Sequence, residues 1–79
     1  MRDAKEILDQ YFLEMRWRCL SLAADLDRVG RAEGGESLLK SDPRLVKLRQ
    51  AIGALLEDAP ERAARVQDAF TDHTPPLLG

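Results

Sequence analysis

Apolar residues recur at helical spacing through the first thirty positions of the chain. Leu8, Phe12, Met15, Cys19, Leu22, Leu26 and Val29 follow one another at intervals of 4, 3, 4, 3, 4 and 3 residues. That is the a/d seam of a heptad, held for three heptads. Ile7, Tyr11 and Ala23 widen the stripe. Asp3 and Glu6 have the spacing of a capping box, with Asp in place of Ser or Thr, and neither proline nor glycine interrupts residues 3–29. The pattern predicts one long helix over about 3–30, roughly 40 Å at 1.5 Å per residue. Gly30 is a candidate for its C′ residue; the alternative end is Gly34-Gly35.

A second apolar line runs along the same segment. Leu13, Trp17, Leu20 and Ala24 repeat at 4, 3 and 4, which at ~100° per residue puts them about 160° around from the main seam. Lys5, Asp9, Arg16 and Asp27 form one charged band between the two lines, and Glu14, Arg18, Asp25 and Arg28 the other. Glu14 and Arg18 have the favourable acid-first order at i,i+4. A helix that is apolar on two opposite sides has two packing partners. One is its own chain; the other is either a second polypeptide or, folded over Trp17, the third helix of residues 60–71 or the Leu77-Leu78 tail.

Residues 30–42 are rich in Gly, Ser and charge and read as a loop, with a turn at Ser37-Leu-Leu-Lys. Asp42-Pro43 restarts the chain: Asp at the N-cap and Pro at N1 are a start signal, because Pro has no N–H to leave unsatisfied. Leu45, Leu48, Ile52, Leu55 and Ala59 then recur at 3, 4, 3 and 4, predicting a helix over about 43–58. Gly53 lies inside it, as either a site of close helix approach or a tolerated weak spot costing about 1 kcal/mol relative to Ala. Asp58 and Glu61 again have capping-box spacing around Pro60, so a third helix is expected over about 60–71, with Ala63, Val66, Ala69 and Phe70 on its apolar side. The residues from 73 to 79 read as an extended tail in which Pro75-Pro76 favours polyproline II.

Composition narrows the possibilities. Seventy-nine residues make one domain at most, here 1–72 plus the tail. A monomer this small buries only about 60% of the surface of its unfolded chain, so it is marginal without a disulfide, a metal or oligomerisation. Cys19 is the one cysteine and His73 the one histidine, which excludes an internal disulfide and a Cys/His zinc cluster. Oligomerisation or a larger partner remains. Charge is balanced along the chain: 12 Lys and Arg stand against 14 Asp and Glu, with no basic half. No run approaches the ~18 uninterrupted apolar residues of a membrane span, and the N-terminus lacks a signal peptide's apolar run. A cytoplasmic protein is the expectation.

Candidate chemistry is sparse. Cys19 sits at a seam position, where a free thiol behaves as a small hydrophobe. Gly34-Gly35 is a lone pair with no phosphate-loop spacing around it. Arg16-Trp17-Arg18 resembles a stacking platform flanked by cations, but on a helix the three side chains diverge by about 100° each. The sequence therefore predicts an all-α protein, with a long N-terminal helix packed against two shorter ones as a helical hairpin or three-helix bundle. Its expected use is protein–protein interaction or oligomerisation, a homodimer first, with no catalytic residue, cofactor or metal. Leu13, Trp17, Leu20 and Ala24 form the expected partner interface. The competing classes are a small helical enzyme or anion binder with Arg16, Arg18 or Arg28 lining a pocket at a dimer interface, and a nucleic-acid module, against which the acidic balance argues.

Overall fold

The computed structural model of the chain describes residues 2–71. The expected tail and His73 lie outside them. Among the described residues the protein is all-helical, with four helices and no strand. The chain divides into two compact units, Met1–Leu39 and Lys40–Gly79.

The first unit is dominated by α1, Ala4–Arg31, which at 28 residues is about 42 Å long. Asp3 caps it as the sequence predicts: its carboxylate accepts a hydrogen bond from the Glu6 N–H at 2.9 Å. Arg28 and Arg31 in the last turn complement the helix dipole. Gly30 does not end the helix, which runs one residue further and closes with the Ala32 N–H donating to the Val29 carbonyl.

Residues 30–42 are not the expected loop. Gly35–Ser41 form a second helix, α2. Two adjacent glycines make it possible, for different reasons. Gly34 takes a φ of 78°, the left-handed turn that redirects the chain, and its carbonyl accepts the Leu38 N–H at 3.0 Å. Gly35 is buried against the end of α1, so close that an added Cβ would lie 1.8 Å from the Val29 carbonyl oxygen. Glu36 and Leu39 then reach over Gly30, where a Cβ would meet each of them at 3.4 Å. A glycine pair signals termination in the local sequence, but here it is the means of a close backbone turn. Glu36 in the first turn and Lys40 in the last give α2 the charge order its dipole favours.

The second unit is a pair of packed helices, α3 (Pro43–Leu56) and α4 (Arg62–Phe70). α3 starts as predicted. Asp42 accepts from the Arg44 N–H at 2.8 Å and chelates the Arg44 guanidinium through both oxygens, with Nε and Nη2 each at 3.0 Å. The helix stops two residues short of the expected 58, and α4 starts two residues later than the expected 60. The predicted capping box at Asp58 and Glu61 does not form: Glu61 is the N-cap, in the left-handed region at φ 61°, with no side-chain cap bond. Pro60 therefore lies ahead of α4 and does not open it at N1 as Pro43 opens α3.

Ala51 is the only buried apolar side chain among the described residues, 3% exposed. Leu48 and Ile52 of α3 and Val66 and Ala69 of α4 are half-buried. Leu55, on the expected apolar line, stays 53% exposed. A Cβ added at Gly53 would meet nothing within 4 Å, so this glycine permits no close approach and is a weak spot in α3.

Candidate interaction surface

α1 has no buried residue at any position. Its second apolar line is the most exposed: Leu13 keeps 67% of its surface, Trp17 65% and Leu20 47%, with Ala24 half-buried. One turn separates each from the next, so they form a continuous strip on one side of a capped helix. The main seam was expected to be core. Instead Leu8, Phe12 and Met15 are about half exposed, and Cys19 is exposed as well. Only Leu22, Leu26 and Val29, nearer the turn into α2, are half-buried.

The charged bands between these strips are solvated. Lys5 pairs with Asp9 at 2.8 Å, Glu14 with Arg18 at 3.2 Å, Asp27 with Arg31 at 3.8 Å, and Asp25 with Arg28. Each is a local pair of exposed side chains, worth little to stability. Of the three arginines considered for an anion pocket, Arg18 and Arg28 are therefore already engaged by carboxylates. The structure does not draw the three together: Arg16 belongs to one band, Arg18 and Arg28 to the other.

An open groove of about 460 Å³ lies between α3 and α4. Ala54, Ala64 and Ala69 line it together with Gln50, Glu57, Arg65 and Asp68. Arg65 is ion-paired with Glu57 across the groove. No thiol or imidazole lines it, and its one cation is matched by two acids, so it offers neither a nucleophile nor an anion site. Among the described residues no group of three or more His, Cys, Asp or Glu side chains comes together to hold a metal ion. No known protein family, curated protein or solved structure matches the chain.

What remains is apolar surface on a helix. No helix among the described residues is long and apolar enough to cross a membrane. Sequence periodicity groups each of the two lines on one face of α1. Burial depends on what faces a residue, and periodicity reports only which residues share a face.

Proposed function

We propose that this protein is a small helical interaction module that works by burying α1 against other polypeptides, without catalysis. The observation that carries the reading is the exposure of Leu13 and Trp17, 67% and 65%, on a helix that also exposes Phe12 and Met15 on its other side. Large contiguous apolar patches mark interaction sites, and Trp is enriched among the residues that dominate binding energy. Among the described residues Ala51 is the one buried apolar side chain, which points the same way, since so little internal burial there leaves stability to be gained by association. Two faces suit two partners. A second copy of this chain is the economical choice for one of them, because a symmetric dimer needs only one self-complementary patch. Leu13, Trp17, Leu20 and Ala24 are assigned to a protein partner.

The test joins solution mass to capture. Light scattering across a concentration range reads self-association, and immobilised wild type is compared with Trp17→Glu for the proteins each retains. The expected result is self-association, together with a partner held by wild type and lost from Trp17→Glu at unchanged helix content. A chain that is monomeric at every concentration and retains nothing that Trp17→Glu does not would refute the reading.

A further inference from the structure

Exposure of the α1 seam is confined to its N-terminal half, from Leu8 to Cys19, and the charges beside that half are arranged unevenly. With Phe12 and Cys19 at heptad position a and Leu8 and Met15 at d, Asp9 and Arg16 flank the seam on one side. Tyr11 and Arg18 flank it on the other. Arg16 makes no ion pair among the described residues, although every neighbouring arginine of α1 does.

We propose that α1 pairs antiparallel with α1 of a second copy along Leu8–Cys19, the two-fold axis crossing between Leu13 and Glu14. In this register every a side chain meets a d side chain: Phe12 lies against Met15 of the second copy, and Leu8 against Cys19. Asp9 comes beside Arg16 of the second copy, and the symmetry makes that contact twice. On the opposite flank Tyr11 comes beside Arg18 of the second copy, a cation over an aromatic ring, also twice.

The neighbouring alignments lose this match. Sliding the axis one heptad step toward the C-terminus, to Trp17, sets Arg16 against Arg16 and Arg18 against Arg18. One further step pairs Arg18 with Asp25, but it uses the half-buried Leu22, Leu26 and Val29 and leaves Leu8 opposite Glu33. A parallel pair puts Arg16 beside Tyr11, Arg18 beside Ala23 and Asp9 beside Ala4, with no opposite charges facing. Flanking charges set orientation and partner choice in paired helices, and here they select the antiparallel register over the exposed half of the seam. This pairing rests on the reading of α1 as a docking helix and supplies one of its two partners. The Trp17 line, at the back, stays outside the dimer.

The experiment is a charge swap read by light scattering and sedimentation on the full chain. Asp9→Arg makes the flank all basic and Arg16→Asp makes it all acidic. Each variant alone should self-associate more weakly than wild type, by on the order of tenfold or more. Their equimolar mixture should associate as wild type does, because a basic flank then faces an acidic one. Circular dichroism checks that both stay helical, as substitutions at exposed positions should.

Oxidation tests direction independently. In this register the two Cys19 residues are about 16 Å apart along the axis, beyond disulfide reach, so wild type should form no disulfide-linked dimer and Leu8→Cys should form one readily. Disulfide dimers of wild type, swap variants that pair no better together than apart, or a wild-type monomer at every concentration would each overturn the proposal. Dissociation by Trp17→Glu with none by Asp9→Arg would overturn this pairing and leave the docking-helix reading standing.

Discussion

Gly35→Ala is the substitution with the most sharply determined consequence. The added methyl would sit 1.8 Å from the Val29 carbonyl oxygen and 2.8 Å from the carbonyl carbon, where ordinary contact begins at 3.4 Å. The shortfall of about 1.6 Å is against backbone, so no side-chain rotation relieves it. Overpacking a close site costs about 1–3 kcal/mol, and a backbone clash belongs at the upper end. The cost is capped by the alternative of letting α2 come away from α1. A seven-residue helix cannot stand alone, so undocking melts it, and α2 holds about one-eighth of the helical residues. Far-ultraviolet circular dichroism should therefore fall by about that fraction while α1 persists. Amide exchange gives the residue-level readout: the Leu38 N–H, bonded to the Gly34 carbonyl at 3.0 Å, should lose its protection. Gly53→Ala is the matched control. Its methyl meets nothing within 4 Å, so this helix-interior change should stabilise α3 by about 0.5–1 kcal/mol. Unchanged Leu38 protection in Gly35→Ala, or equal effects of the two substitutions, would refute the reasoning.

Two further consequences concern helix starts. Glu61 holds a left-handed backbone without making a cap bond; Asn tolerates that conformation and is among the best N-caps, so Glu61→Asn should stabilise by about 0.5–1 kcal/mol and raise Tm by a few degrees. An unchanged or lowered melting temperature contradicts this. The Asp42 carboxyl is held below its ordinary 3.8, chiefly by the hydrogen bond from the Arg44 side chain and then by the Arg44 N–H. A lowered carboxyl pKa means that the cap's contribution is complete above 3.8 and is lost as pH falls through the lower, folded value. A carbon-detected NMR titration should place the Asp42 midpoint below 3.8 and Arg44→Gln should move it back up; coincident titrations of the two proteins would show that the chelate does not exist in solution.

The parts of the fold that were legible are those whose cause lies within a few residues. Asp3 with Glu6, and Asp42 with Pro43, fix the starts of α1 and α3 through local hydrogen bonds and a missing N–H, so the sequence carries them openly. α2 was hidden because its cause is a contact across the turn. Gly35 is required by the position of the Val29 carbonyl, which no window on the sequence displays. Glu36 and Lys40, acid-first at i,i+4, were the one local hint of a helix there. The start of α4 is not legible in the same way: the Asp58/Glu61 spacing and Pro60 both signal an earlier start, and the helix instead begins at Arg62 behind a left-handed Glu61. On α1, periodicity grouped Leu13, Trp17, Leu20 and Ala24 on one face and the seam residues on the other. It could not say how far each face is exposed, since exposure is a property of the surroundings and not of the repeat.

The left-handed N-cap of α4 bears on how the second unit comes apart. α3 is held at its start by its own Asp42, whereas α4 has nine residues, no side-chain cap and a strained entry. Its persistence depends on resting against α3 and on the surface pair of Arg65 with Glu57. Such an element opens on its own long before the chain unfolds as a whole. Arg62 and Arg65 should then become open to a trypsin-like protease at a rate that follows the opening equilibrium of α4 alone.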